Sequence, residues 1–289
     1  MIQEVMTRLA RMNLVEKFLF DETMENKEAY EAMVSILLEN EVHLLARTET
    51  EKELRVSPEL RSIRLDVVGM DDKNVVYFME MQQKNTKNLE KRSRYYQGHI
   101  DVSLLPTGEA DFNKLPDSCF ILVAPFDIFG KGLYRYTFVG TCIECPELRL
   151  QDGAVKIFIN TKGMNPEMFS QEFLDLMEYV TKSEDEVVER SESKRLRILH
   201  ECVKKVKGSE KVGVKLMQTW EEYVMIKEEG RAEGREVGRA EGRAEAIRVL
   251  IETCKELKMS LEDTRNKIIE KLSLDDKEAE QLLKKYWCL

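Results

Sequence analysis

Residues 118–129, SCFILVAPFDIF, form a nearly continuous apolar run bounded by turn signals. A strand reads this way when both its faces are covered, as in the middle of a sheet flanked by helices. Two further strand-like runs follow, YRYTFVGT at 134–141 and AVKIFIN at 154–160. Upstream, Ile63, Leu65 and Val67 alternate with Arg64, Asp66 and Val68, again a strand. Asp71-Asp72-Lys73-Asn74 has turn chemistry, and VVYFMEMQ (75–82) reads as the return strand. Apolar residues at helical spacing, among them Leu14, Phe18, Tyr30, Val34, Leu37 and Leu38, fill the first forty residues, with an acidic break at 21–27. Residues 86–101 read as a helix, and beyond Pro166 the pattern is helical almost to the end.

These runs predict an α/β fold, a mixed sheet flanked by helices over 1–162, then an elongated all-helical appendage. The appendage divides into a helical extension (163–228), a Gly/Arg/Glu repeat that is either helix or linker (229–258), and a helical hairpin (259–289). The hairpin expectation rests on helix starts at Ser260 and at Ser273-Leu274-Asp275, each with acids in the first turn.

The hairpin at 63–82 carries the strongest chemical signal. With its turn centred on Lys73, position i faces position 146 − i, which sets Asp66 opposite Glu80; a two-residue turn would shift the register by one. Opposed carboxylates on an antiparallel pair stand about 5 Å apart and repel unless a proton or a metal ion neutralises them. Gln82 lies two residues after Glu80, hence on the same face. Oxygen ligands converging in this way suit Mg²⁺, with Mn²⁺ as a substitute. The alternative is that the two acids decorate an exposed sheet face, although Val68, Val76 and Phe78 share that face. Relief of a like-charge pair leads us to expect that Asp66→Ala or Glu80→Ala leaves stability unchanged or raises it.

The following segment is basic. Lys84, Lys87, Lys91, Arg92 and Arg94 stand against Glu90 and Asp101, in a chain of formal net charge −9. Lys84, Lys87, Lys91 and Arg94 recur at spacings of three or four, one stripe of a helix, with Tyr95 and Tyr96 beside it. Either this is a face for a phosphate backbone or it is a solvated charged surface over core tyrosines.

RLDVV, FMEMQQK and KRSRYYQGHID together resemble the PD-(D/E)xK nuclease superfamily, specifically its transposase-associated, recombination-promoting branch. The segment FLFDETMENKEAYEAMVSILL resembles that family's opening helix, and the likeness covers about 14–160. The resemblance implies a restriction-endonuclease-like core hydrolysing DNA phosphodiesters with Mg²⁺ held by Asp66 and Glu80. It also implies the Met81 carbonyl as a further ligand and an acid from the opening helix, Glu31 or Glu39. Gln82 takes the place of the superfamily's lysine: it can position a water but brings no positive charge. Gln82→Lys is accordingly expected to be tolerated or activating. Lys84, Lys87, Lys91, Arg94 and Tyr95 become the DNA-binding residues. The rival expectation is a non-catalytic DNA-binding or assembly protein on the same fold.

In EEGRAEGREVGRAEGRAEAI, glycine recurs at 230, 234, 238 and 242 and arginine at 231, 235, 239 and 243. Each interior glycine costs a helix about 1 kcal/mol, so the segment depends on something outside itself. It is either a helix pairing antiparallel with a second copy through glycine, arginine and glutamate stripes, or a pliable linker. Six scattered cysteines and the lack of an apolar stretch long enough to span a bilayer lead to the expectation of a cytoplasmic protein with buried, unpaired thiols.

Overall fold

The computed structural model describes residues 2–45, 49–54, 63–105 and 108–287, with side chains described outside 49–54 and 63–67. It divides into two compact units, Met1–Met217 and Gln218–Leu289.

The first unit is α/β. Helices α1 (Ile2–Arg11), α2 (Lys17–Met24) and α3 (Lys27–Leu38) lead into strands β1 (Glu49–Leu54), β2 (Ile63–Met70) and β3 (Val75–Met81). Helix α4 (Leu89–Leu104) is followed by β4 (Asp117–Ala124), β5 (Arg135–Phe138) and β6 (Ala154–Asn160), then by α5 (Gln171–Thr181), α6 (Asp185–Arg190) and α7 (Lys194–Lys207). The strands form one mixed sheet in the order β1-β2-β3-β4-β6-β5. β3, β4 and β6 run parallel in its middle, while β1, β2 and β5 are antiparallel to their neighbours.

The central strands are apolar on both faces because both faces are covered. Tyr77, Met79, Cys119, Ile121, Val123, Ile157 and Ile159 point into a core shared with α1–α3 and α5–α7. The alternate residues Val76, Phe78, Phe120, Leu122 and Phe158 point into a second core under α4 and the segment around Phe126–Leu133. The run at 118–129 is therefore strand only to Ala124, and beyond it becomes a loop. In that loop Asp127 accepts bonds from the amides of Phe129, Gly130 and Gly132 and from the Tyr136 hydroxyl.

The compact unit continues past the last strand. Phe173, Leu176, Tyr179, Leu196 and Leu199, on α5 and α7, are fully buried in the same core as the sheet. Its boundary at Met217 therefore lies beyond the 162 read from the sequence, because the helices after Pro166 cover one face of the sheet.

The second unit contains most of α8 (Glu210–Glu256), with α9 (Leu261–Leu272) and α10 (Asp276–Tyr286). Ile247, Ile251, Ile268, Ala279 and Leu283 form its own small core. Ser260 caps α9, and Asp275 caps α10 in a reciprocal box with Glu278, so the two expected helix starts are real stops and starts. The Gly/Arg/Glu repeat is helical throughout. A Cβ added at Gly230, Gly234, Gly238 or Gly242 would meet nothing within 4 Å, so no packing within the described chain offsets the weak propensity of this stretch.

Cys119, Cys202 and Cys254 are buried and unpaired, whereas Cys142 and Cys145 are half-exposed. Among the described residues no helix is long and apolar enough to cross a membrane.

Candidate active site

The hairpin turn is built by Asp71. Its Oδ1 accepts the amides of Lys73 and Val75, its Oδ2 accepts the Tyr77 hydroxyl, and Asn74 takes the left-handed conformation (φ 64°) that closes a three-residue turn. Burial pushes the Tyr77 phenol pKa well up, with the Asp71 hydrogen bond adding to the shift. This turn sets the register: Val67 pairs Met79, Val68 pairs Phe78, and Met70 pairs Val76, each pair summing to 146. The same sum carried one step outward from Val67–Met79 would set Asp66 opposite Glu80. The backbone of Asp66 is described as part of β2, and its side chain lies outside the described residues.

Glu80 follows the parity of Val76 and Phe78 and faces the core under α4 at only 4% exposure. A carboxylate among phenylalanines needs a charged partner, and one is present: the Arg92 guanidinium Nη2 lies 2.9 Å from Glu80 Oε2. The same nitrogen donates to Gln82 Oε1. Gln82 is fixed from two further directions, its amide N–H donating to the Val123 carbonyl and its Nε2 to the Lys84 carbonyl (2.7 Å). The Glu80 carboxylate and the Gln82 amide oxygen thus converge on one cationic nitrogen. They do so at the carboxyl end of parallel strands β3 and β4, the edge where open α/β sheets bind ligands. The oxygen donors of Glu80 and Gln82 fit a hard divalent cation, with Glu80 as the candidate ligand among the described side chains and Gln82 beside it.

Arg92 was counted in the sequence only as part of a local positive charge. Leu89, Ser93, Tyr96, Gln97 and Ile100 form the sheet-facing side of α4. Arg92, three residues after Leu89 and four before Tyr96, falls on that same side. A cation at a core-facing helical position was the signal that could have identified it.

The basic stripe differs from its expected form. α4 begins at Leu89, not 86, so only Lys91 and Arg94 of the four stripe residues are on the helix; Lys84 and Lys87 precede it. The cause is local. Asn85 Oδ1 accepts the Lys87 amide, Thr86 bonds Asn88, and Lys87 takes φ 54°, so short polar side chains hold a turn in place of a helical first turn. All four cations are nonetheless exposed. Tyr95 is 40% exposed and its ring lies 4.4 Å from that of His99, while Tyr96 is partly buried against the core.

The opening-helix acids have other work. Glu31 accepts the Leu44 amide (2.8 Å) and lies 3.8 Å from His43. Glu39 sits just after α3 in a left-handed conformation, paired with Arg135 (3.2 Å) and accepting the Ser170 amide. The apolar residues of α3 enter the core on the sheet face opposite Glu80.

Comparison with models of known protein families, with curated proteins and with solved structures returned no match for this chain.

Proposed function

We propose that the first unit is a restriction-endonuclease-like core acting as a Mg²⁺-dependent DNA endonuclease, associated with recombination or transposition. The observation that carries this reading is the buried Glu80 carboxylate converging with the Gln82 amide on a single cation, in a hairpin whose register sums to 146 from Val67–Met79 inward. Glu80 and Asp66 would hold the ion, with Gln82 orienting a water through its amide. Mg²⁺, or Mn²⁺ in its place, supplies a polarised phosphate and a more acidic bound water when present. Exposed Lys84, Lys87, Lys91 and Arg94 neutralise backbone phosphates on the rim, and Tyr95 offers a ring edge to the same strand. These groups read phosphate and not base sequence.

A second reading has one observation of its own. The guanidinium of Arg92 already satisfies Glu80 and Gln82, as in a fold kept for DNA binding or assembly without cleavage. Incubating the purified protein with supercoiled plasmid in Mg²⁺ or EDTA separates the two. Metal-dependent nicking, lost in Asp66→Ala and Glu80→Ala, supports the nuclease; DNA binding without nicking in Mg²⁺ or Mn²⁺ supports the second.

A further inference from the structure

We propose that Arg92 is the resident cation of the Glu80–Gln82 pair, and that a divalent ion binds there by displacing its guanidinium. This rests on the proposed site and adds to it a residue that controls access of the metal.

The geometry concentrates two acceptors on one donor atom. Nη2 of Arg92 serves both Glu80 Oε2, at 2.9 Å, and Gln82 Oε1. An ion held on Glu80 Oε2, with a water on Gln82 Oε1, needs the space that Nη2 fills. The guanidinium is also poorly satisfied where it sits. Its Nε is buried and has no hydrogen-bond partner, although arginine usually fixes a carboxylate through two parallel bonds. Its remaining contact is the Tyr96 ring, 5.6 Å from Cζ, a weak and direction-tolerant one. The side chain is about a quarter exposed, so it already borders solvent. Glu80, by contrast, is held by a central strand and cannot follow. When a dication arrives, the arginine therefore yields and the acid stays. Once displaced, the guanidinium remains on the same helix as Lys91 and Arg94, where a phosphate oxygen is a natural acceptor. In the metal-free state Arg92 thus places beside Gln82 the positive charge that a lysine at that position would carry.

The test is Mn²⁺ binding by titration calorimetry, on the full chain, for wild type, Arg92→Met, Arg92→Gln and Glu80→Ala. Arg92→Met keeps the side-chain stem and removes the charge; Arg92→Gln guards against a folding defect in the first variant. Both are expected to bind Mn²⁺ at least about tenfold more tightly than wild type, and Glu80→Ala is expected to lose binding. Equal or weaker binding in both arginine variants, with dependence on Glu80 retained, overturns the role of Arg92 and leaves the site standing. Binding undiminished in Glu80→Ala overturns the site and the inference together. Modification of Arg92 by phenylglyoxal, read by mass spectrometry, gives a second readout. Mn²⁺ should raise its labelling in wild type, and unchanged labelling at saturating Mn²⁺ contradicts displacement.

Discussion

Removing Arg92 should destabilise the first unit through Glu80, and the size of the effect follows from burial. The Glu80 side chain is 6% exposed and that of Arg92 26%. Breaking one partner of a fully buried pair costs about 3–5 kcal/mol, and an exposed pair contributes about 0–1 kcal/mol. A pair with one partner buried and the other a quarter exposed lies between, so Arg92→Met should cost about 2–3 kcal/mol. Glu80→Gln in the Arg92→Met background should recover part of that loss, because the charge that was left behind is gone. This reverses the expectation drawn from the hairpin alone, that removing a carboxylate would leave stability unchanged or raise it: Glu80 is neutralised by a cation already in the fold. Both tryptophans, Trp220 and Trp287, belong to the second unit, so fluorescence would follow the wrong region. Hydrogen exchange of peptides covering 75–105 is the suitable assay, with exchange in β3 accelerated by about 30- to 150-fold. A change in protection below about 0.5 kcal/mol for Arg92→Met, or no coupling in the double-mutant cycle, would falsify the argument.

Gln82→Lys places an ammonium beside the Arg92 guanidinium, so it should lower stability by about 1 kcal/mol in wild type and by less in Arg92→Met; equal costs in urea unfolding of both backgrounds contradict the contact. Asp127 is raised in pKa by burial, but the four donors around it outweigh that and hold it below the usual carboxylate range. Its contribution is therefore fully present above the unfolded carboxylate pKa and lost as pH falls through the lower folded value; Asp127→Ala should cost about 1–2 kcal/mol at pH 7 and less in acid once the folded-state carboxyl is protonated, and a pH-independent cost refutes this. A Cβ at Gly163 would lie 2.5 Å from the backbone nitrogen of Tyr134, so Gly163→Ala should lower the unfolding free energy by at least about 1 kcal/mol; an unchanged unfolding midpoint means the loop moves freely. In the repeat, Glu229, Glu233 and Glu241 precede the glycines by one residue and the arginines follow them by one, so the two charges flank the glycine row on opposite sides. That arrangement sets arginine against glutamate when two copies run parallel, and like against like in the antiparallel pairing expected from the sequence. Cysteine pairs at Gly234 should crosslink to each other, Gly234→Leu/Gly238→Leu should reduce self-association in light scattering, and a monomeric wild type refutes it.

What the sequence determined by itself was local. The hairpin register follows from Asp71 and Asn74, a few bonds from the strands they join, and it came out at the expected sum of 146. The helix starts at Ser260 and Asp275 follow from their own side chains, and the buried strand at 118–124 from unbroken apolar residues. Polar side chains at 85–88 were also a local signal, one the regular spacing of the lysines obscured. Tertiary structure decided the rest. Nothing near Pro166 in sequence says that Phe173 and Leu199 close one face of the sheet. Nor does the charge pattern show that Glu39 serves Arg135, nearly a hundred residues on. The pairing of Arg92 with Glu80 depends on which side of α4 meets which end of β3. Whether a buried carboxylate finds a cation is fixed by how a helix docks on a sheet, because charge interactions act through space and not along the chain.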